Sequence, residues 1–175
     1  MSVSVAINCI PLLVQQNING SNVFNRSWAE YKVGFNDTRG NFWLGNDLLS
    51  QLTASGRQYK LRFDLQAING SWYWAEYSRF IVTSEASNYL MHASGYSGDA
   101  ADVFLYHNGM MFSTYDRDND RSSSLNCAAR HGGGFWYNYC SMARVNGGRG
   151  RGYYFAWYTH GRYINLQTSR MWLTC

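Results

Sequence analysis

The residues best suited to chemistry are three aspartates at alternate positions, Asp116, Asp118 and Asp120. Carboxylates that alternate along a turn converge on one hard cation, and oxygen ligands of this kind suit Ca²⁺. The run does not fit an EF-hand, because the sixth loop position, which needs Gly, is Arg121 and the twelfth, which needs Glu, is Cys127. Backbone carbonyls and water would have to complete the shell. A solvated acidic turn without a metal is the alternative, since Asp and Asn also favour turns.

The segment 126–140 follows the aspartates and combines two cysteines, one histidine, three glycines and four aromatic residues. His131 with the glycines after it matches the oxyanion-hole string of some esterases, but the chain has no Gly-x-Ser-x-Gly elbow to supply a nucleophile. Cys127, His131 and Cys140 form a candidate set of zinc ligands, although no fourth protein ligand is apparent nearby. The third interpretation is a disulfide-closed loop whose aromatic side chains surround a pocket.

Composition and charge exclude several classes of protein. Of the 175 residues, 46% are hydrophobic and only 15% are charged, which excludes a disordered or coiled-coil chain. A formal charge of +4 is too small to predict a nucleic-acid partner, and the glycine–arginine string at 147–152 is better explained as a surface turn. No stretch reaches the roughly 18 consecutive apolar residues that cross a bilayer. No base–nucleophile set accompanies the aspartates, so we expect no enzymatic activity.

Four cysteines and four Asn-x-Ser/Thr sequons point to the secretory route, so we expect a secreted, extracellular glycoprotein. Four cysteines allow three pairings. The local pairing, Cys127 with Cys140, closes a short Gly-rich loop and stabilises the fold by about 3 kcal/mol on the chain-entropy model. Cys9 and Cys175 would then join the two ends of the chain. The sequons begin at Asn19, Asn25, Asn36 and Asn69.

Two short helices are predicted in the first third of the chain. Ser27 and Glu30 have the spacing of a capping box, and Gly34 would end the helix that they begin. A second helix would start with Asn46 as its cap and stop before Gly56.

Strands follow these helices. The alternation of Leu61, Phe63 and Leu65 with polar residues predicts a strand with one face in the core. The dipeptide at 69–70 is typical of a tight hairpin turn, and the returning strand would run over 72–82. From Gly95 the regular pattern gives way to Gly, Ser, Asn and Asp, so this half should be rich in loops. No break in composition marks a domain boundary, and we expect one domain over 1–175.

The order of the motifs along the chain carries more information than any single motif. The landmarks are Phe24–Phe35, Asn41–Asn46, Leu52–Thr53, Tyr96–Asp102, His107–Thr114, the aspartate run, Asn126–Ala128, Trp136–Tyr137, Cys140 and Val145–Gly147. Together they resemble the fibrinogen C-terminal domain, the globular module of fibrinogen, ficolins, tachylectins and other fibrinogen-related lectins. The resemblance implies an α+β fold with a central, mainly antiparallel sheet and short helices. A loop-rich calcium and ligand subdomain would span about 95–160, after an abbreviated N-terminal part over about 1–23.

The resemblance also implies a calcium site and a neighbouring pocket. It assigns Ca²⁺ to Asp118 and Asp120, pairs Cys127 with Cys140, and implies a cis peptide bond between Tyr139 and Cys140. Carbonyls of the turn after the aspartates would complete the shell, with Ser122, Ser123 and Leu125 as ligands. The expected ligand-binding residues are His131, Phe135, Trp136, Tyr139, Cys140 and Tyr153. The chain departs from the lectins at Ser141, where they usually carry His, and in a shorter segment after Gly152.

The implied function is calcium-dependent recognition of acetylated carbohydrates, such as N-acetylglucosamine, by a lectin of the innate-immunity type. The alternative is a protein-binding module that engages a receptor or peptide, as in signalling and clotting relatives; Ser141 and the altered tail favour it. Lectin affinity usually needs several copies of a site, so we expect a homo-oligomer.

Overall fold

The structure, a computed structural model, describes residues 10–148 and 155–175. Every strand pair within these residues is antiparallel, which confirms the α+β fold with a mainly antiparallel sheet. The strands are β1 Leu12–Ile18, β2 Phe35–Asn36, β3 Phe42–Trp43, β4 Lys60–Ala67, β5 Trp72–Val82, β6 Met91–Gly98, β7 Ala143–Arg144, β8 Ala156–Thr159 and β9 Arg162–Thr174. The α-helices are α1 Trp28–Val33, α2 Asn46–Thr53, α3 Phe104–His107 and α4 Cys127–His131, with 3-10 turns at Asn22–Phe24 and Glu85–Ser87.

Strand β9 joins the main sheet to the loop-rich half of the chain. The main sheet has the order β2-β3-β1-β9-β4-β5-β6, so β9 lies between β1 and β4. The residues of β9 up to Asn165 pair instead with β8, which also pairs with β7. One continuous strand therefore fixes the position of β7 and β8 relative to the sheet.

The strand and hairpin predictions are confirmed with one change. In β4, Leu61, Phe63 and Leu65 are fully buried and their neighbours are partly exposed. The hairpin between β4 and β5 forms as predicted, but only Gly70 of the turn dipeptide has a positive φ, at 88°. The connection is wider than a two-residue turn, because the N–H of Ala67 donates to the carbonyl of Ser71 across it.

The capping-box prediction for α1 is confirmed. The Ser27 hydroxyl accepts from the N–H of Glu30, and the Glu30 carboxylate accepts from the N–H of Ser27. Gly34 ends the helix with a φ of 92°, and a Cβ there would lie 2.6 Å from the carbonyl oxygen of Leu44. Only glycine allows this close approach of the two backbones.

The predicted cap of α2 is wrong. The helix begins at Asn46, but its N-cap is Gly45 and no side chain caps it. The Asn46 side chain accepts a hydrogen bond from the indole N–H of Trp43 at 3.0 Å instead. Satisfying a buried indole outweighs capping here, because an unpaired buried donor costs about 1–3 kcal/mol.

Tyr31 of α1 connects the helical N-terminal part to the loop-rich half. Its ring packs edge-on against Phe35 and Trp43 and lies 5.1 Å from Phe112. Its hydroxyl donates to the carbonyl of Phe24 at 2.7 Å and accepts from the N–H of Gly134 at 2.8 Å. One fully buried side chain thus satisfies two backbone groups from distant parts of the chain.

We predict that Tyr31→Phe lowers the free energy of unfolding by about 1–3 kcal/mol, because the Gly134 N–H and Phe24 carbonyl lose their partner without a change in packing. Urea denaturation measures the change. Tyr73→Phe is the control. Tyr73 is partly buried, and its hydroxyl has no hydrogen-bond partner among the described residues. We expect this variant to change the free energy of unfolding by less than about 0.5 kcal/mol. Equal stabilities of the two variants would contradict the role of Tyr31.

Candidate functional site

The three aspartates of the acidic run have different environments. One carboxylate oxygen of Asp116 accepts from the N–H of Trp28 at 2.9 Å and from the hydroxyl of Thr114 at 2.7 Å. Asp116 therefore ties the acidic run to the start of α1. The side chains of Asp118 and Asp120 remain for a cation.

Asp120 organises the turn that follows it. Its two carboxylate oxygens accept from the N–H of Ser122 at 2.7 Å and of Cys127 at 2.8 Å, while Asp118 accepts from the N–H of Asp120 at 3.2 Å. Burial raises the pKa of the Asp120 carboxyl, and the adjacent Asp118 carboxylate raises it further, against the lowering effect of the two backbone N–H donors. A cation beside both carboxylates would relieve their repulsion.

The remaining donors around these carboxylates are oxygen atoms. No group of three His, Cys, Asp or Glu side chains within the described parts of the chain could hold a metal ion. The Ser122 hydroxyl is buried without a hydrogen-bond partner, and no described residue donates to the carbonyls of Ser122, Ser123 or Leu125. A set of two carboxylates and several carbonyls fits Ca²⁺. The calcium assignment stays a prediction.

The zinc interpretation of 126–140 is wrong, because Cys127 and Cys140 form a disulfide with their Cα atoms 5.3 Å apart. The disulfide joins the start of α4 to the end of the loop. The Asn126 side chain caps α4 by accepting from the N–H of Ala129 at 2.8 Å and donates to the carbonyl of Thr114 at 3.0 Å. The acidic turn, α4 and the cystine therefore form one connected unit.

Two of the predicted ligand-binding side chains belong to the core. Phe135 and Trp136 are fully buried, and the Trp136 indole N–H donates to the carbonyl of Tyr89 at 2.7 Å. Their rings contact other core aromatics, including Phe112 at 5.2 Å from Trp136. Because a Cβ on Gly134 would lie 2.7 Å from the Tyr31 ring, the glycines let this segment enter the core. Neither side chain can line an open pocket, and the expectation for both is corrected.

The cis peptide bond is also corrected. The described residues contain no cis peptide bond, so the Tyr139–Cys140 bond is trans, the form of lower free energy for a non-proline residue. Tyr153 and Cys9 lie outside the described residues, and with them the proposed pocket wall and the pairing of Cys9 with Cys175.

His131 is buried and its ring nitrogens have no partner. Its side chain is 4% exposed, and its ring stacks on Tyr137 with the centroids 5.8 Å apart. Neither ring nitrogen has a hydrogen-bond partner. Burial lowers the pKa of His131 to about 4, and the positive charges of Arg144 and Arg130 act in the same direction. A neutral imidazole with both nitrogens available can donate and accept one hydrogen bond each.

Exposed apolar side chains lie on the cystine loop and on the two segments that hydrogen-bond to its end. Leu105 is 74% exposed, Tyr139 64% and Tyr163 42%. The loop is fixed from both sides, since Tyr106 donates its hydroxyl proton to the carbonyl of Tyr139, and Tyr163 donates to the carbonyl of Ser141 at 2.9 Å. We call these five residues the cystine-loop face: Leu105, Tyr106, Tyr139, Ser141 and Tyr163.

Polar and cationic groups lie next to this face. The Ser141 hydroxyl is buried without a hydrogen-bond partner. The guanidinium of Arg144 lies 4.2 Å from the centroid of the Tyr163 ring. Among the predicted ligand-binding residues that the structure describes, Tyr139 is exposed. Cys140 is partly buried, and His131 is buried near the charge of Arg144.

Comparison with known proteins decides the family. The family model described as "Fibrinogen beta and gamma chains, C-terminal globular domain" matches residues 8–173. The chain belongs to this family. It is 40% identical over 160 residues to protein scabrous of Drosophila melanogaster, covering 90% of this chain and 20% of that protein. It is 48% identical over 129 residues to mouse tenascin, covering 74% of this chain and 6% of tenascin. The chain thus spans a fifth or less of the length of these two relatives.

Solved structures of fibrinogen-like domains have the same fold. The fibrinogen-like globe domain of human ANGPTL2 has a TM-score of 0.84 at 34% identity, with 93% of this chain and 79% of that chain covered. Lamprey fibrin D-dimer, solved with the peptide ligand Gly-His-Arg-Pro-amide, has a TM-score of 0.82 at 31% identity, with 93% and 60% covered. These matches indicate no catalytic family. None of the described helices is long and apolar enough to cross a membrane.

His107 is a residue of the site region whose role the sequence did not reveal. Its ring is fully buried, with Nδ1 2.7 Å from the carbonyl oxygen of Trp136. Nε2 accepts from the N–H of Met142 at 3.1 Å and of Ala143 at 3.2 Å, which assigns the proton to Nδ1. In this fibrinogen-related domain His107 therefore joins the backbone at Trp136, inside the cystine loop, to the backbone that follows Cys140. No spacing rule identifies such a residue from sequence.

We predict that the free energy of unfolding decreases as the pH is lowered, because of His107. Burial lowers the pKa of His107 to about 4, from 6.5 in the unfolded chain, while its bond to the Trp136 carbonyl acts in the opposite direction. The unfolded state binds the proton first, so the contribution is complete above pH 6.5 and is lost as the pH falls towards 4. From pH 7 to pH 5 we expect a loss of about 2 kcal/mol from this residue.

Urea denaturation at several pH values, with an NMR titration of the ring, measures both quantities. His131 has a similarly lowered pKa, so His107→Gln, which keeps a polar side chain at the site, should remove about half of the dependence that the two histidines give together between pH 7 and pH 5. An unchanged slope in this variant, or a ring of His107 that titrates near pH 6.5, would contradict the assignment.

Proposed function

We propose that this fibrinogen-related domain is a secreted protein-binding module that engages a peptide or receptor through the cystine-loop face. The observation that carries the proposal is the exposed side chain of Tyr139 on a loop fixed by a disulfide and by two tyrosine hydroxyls, with the exposed side chains of Leu105 and Tyr163 on the two segments that donate those hydroxyls. Aromatic side chains on a rigid support bind partners with little loss of conformational entropy. Such anchors dominate protein interfaces.

Unpaired polar groups next to the face support a peptide ligand. The Ser141 hydroxyl and both ring nitrogens of His131 are buried without partners. An unpaired buried polar group costs about 1–3 kcal/mol, and a peptide amide or carbonyl that reached it would remove that cost. The complex of the related lamprey fibrin D-dimer with Gly-His-Arg-Pro-amide is consistent with peptide binding in this family.

Secretion is part of the same proposal. The disulfide between Cys127 and Cys140 belongs to oxidising compartments. The relatives also include fibrinogen and angiopoietin-related proteins, which act outside the cell. In the structure, Asn19, Asn25, Asn36 and Asn69 of the four sequons are exposed, as glycan attachment requires.

Calcium would have a structural role in this module. We propose that Asp118 and Asp120 hold the ion together with carbonyls of Ser122, Ser123 and Leu125. A bound divalent cation neutralises the paired carboxylates and cross-links the turn. Because Asp120 also accepts from the N–H of Cys127, stiffening of the turn would extend to α4 and the cystine loop.

Recognition of acetylated carbohydrates is the second candidate function. Tyr139 next to the Ser141 hydroxyl offers an aromatic surface for an acetyl methyl group and a polar partner for its amide. The burial of Phe135 and Trp136 removes two of the aromatic walls on which the lectin expectation depended. Peptide binding is therefore the better supported function.

We expect peptides selected from a phage-displayed library against the calcium-loaded domain to bind through Tyr139. Tyr139→Ala should weaken binding of a selected peptide roughly tenfold or more, because an exposed aromatic anchor typically contributes over 1 kcal/mol. Isothermal titration calorimetry measures the affinity. Tyr115→Ala removes another exposed tyrosine, 48% exposed and outside the face, and should leave the affinity within about twofold.

N-acetylglucosamine distinguishes the two candidate functions. Peptide binding that the free sugar does not displace supports the protein-binding module. Displacement by the sugar, together with an EDTA-sensitive signal for acetylated sugars on a glycan array, would favour the lectin. Binding that Tyr139→Ala leaves unchanged would place the peptide site elsewhere.

We predict that Asp118 and Asp120 differ in their contribution to stability. In EDTA, Asp120→Ala should lower the free energy of unfolding by about 1.5–3 kcal/mol, because two backbone N–H groups lose a charged acceptor, whereas Asp118→Ala should cost less than about 1 kcal/mol. In Ca²⁺ the wild-type Tm should rise, and both variants should lose the rise. Differential scanning calorimetry with and without Ca²⁺ tests this. A wild-type Tm that is the same with and without Ca²⁺ would refute the calcium site.

A further inference from the structure

A second surface, separate from the cystine-loop face, crosses strands β5 and β6 at the edge of the sheet. Arg79 lies opposite Ser94 in the pairing of these strands, and Ile81 lies opposite His92. These four side chains line a groove of about 350 Å³ together with Ala93 and Asn108. Diagonal neighbours in an antiparallel pair are about 7–8 Å apart, so Arg79 and His92 face the same groove.

This groove continues into a larger one. A groove of about 470 Å³ between the end of α2 and the start of β4 shares Arg79 and Ile81 with the first, and Arg57 and Gln58 line its other side. Both volumes lie in the range of ligand-binding clefts. We call the combined surface, from Arg57 through Arg79 to His92, the arginine groove.

The arginine groove has cations without matching anions. None of the side chains that line it is acidic. In the described part of the chain, neither Arg57 nor Arg79 has a carboxylate within 4.0 Å, although the nearby Lys60 pairs with Glu76 at 3.6 Å. The Arg57 guanidinium lies 3.7 Å from Sγ of Cys175. Cations of one sign in a concave surface focus the electrostatic potential and concentrate anions there.

The lining suits an anionic chain that carries hydroxyl groups beside its charges. Guanidinium groups bind the oxygens of carboxylate, sulfate and phosphate groups through paired hydrogen bonds, and both principal cations here are arginines. Ser94, Asn108 and Gln58 add hydroxyl and amide groups. Apolar anchors of the kind that protein partners use are scarce, because Phe80 is fully buried beneath the groove and Ile81 is only partly exposed.

We propose that the arginine groove binds an acidic, sulfated polysaccharide chain. Sulfate and carboxylate groups along such a chain would pair with Arg57 and Arg79, and its hydroxyls with the amide and hydroxyl groups between them. The groove shares no residue with the cystine-loop face, so the domain could hold a partner on one surface and a polysaccharide on the other.

Titration of a size-defined heparin octasaccharide into the calcium-loaded domain tests the proposal. We expect saturable binding that weakens as NaCl is raised, because salt screens exposed charges. Arg57→Gln with Arg79→Gln should weaken binding about tenfold or more, since each charged hydrogen bond is worth about that factor. Arg39→Gln with Arg162→Gln removes the same charge at exposed positions outside the groove and should change affinity less than about threefold.

The other outcomes overturn the proposal. An absence of saturable binding, or an equal loss of affinity in the two double variants, would show that the groove is not a specific binding site. Equal affinity for a polyglutamate peptide or a single-stranded oligonucleotide would show a general polyanion surface instead. A thermal melt of each variant confirms that it is folded. Because peptide binding through Tyr139 is measured separately, failure here leaves the proposed function unaffected.

Discussion

The arrangement of this domain depends on the contact between Tyr31 and Gly134. The main chain of Gly134 lies against the Tyr31 ring so closely that a Cβ would be 2.7 Å away, and the Tyr31 hydroxyl receives its N–H. Asn146 completes the contact by donating from its side chain to the carbonyl of Gly134 at 2.8 Å. A backbone segment can enter a core only when its polar groups are satisfied, and these side chains satisfy them.

The same principle holds the loop-rich half to the sheet. The buried side-chain amides of Gln15 and Asn17 on β1 donate to the carbonyl of Val145 at 3.0 and 2.9 Å, and Gln15 also donates to the Asn146 side chain. Few strands run through this half, so side chain to backbone hydrogen bonds replace the ladder that would position it in a sheet. Such bonds allow irregular backbone to be rigid.

Rigidity of this kind suits the cystine loop to the recognition role that we propose for it. His107 joins the backbone at Trp136 to the backbone at Met142 and Ala143, and Asp120 joins the acidic turn to Cys127. Between these points the disulfide leaves Tyr139 exposed on a short, supported segment. The sheet around Arg79 is rigid for a different reason, because β5 pairs with β4 on one side and with β6 on the other. The domain thus presents an aromatic surface and a cationic groove on independent supports.

The sequence by itself determined the family, the α+β class, the capping box at Ser27, the strand over Leu61–Leu65 and the Cys127–Cys140 pairing that the family resemblance implies. These features depend on local spacing or on an ordered series of motifs, which a single chain displays directly. It also identified the turn around Asp118 and Asp120 as the candidate metal site, because alternating carboxylates are a local pattern.

Only the tertiary structure decided which aromatic residues are accessible. Phe135, Trp136 and Tyr139 look equivalent in the sequence, yet the first two are in the core and the third is exposed. The preference of Asn46 for the Trp43 indole over a helix cap, and the role of His107, also depend on partners distant in the chain or in space. Burial and hydrogen-bond satisfaction are properties of the assembled fold, and no local pattern of residue types encodes them.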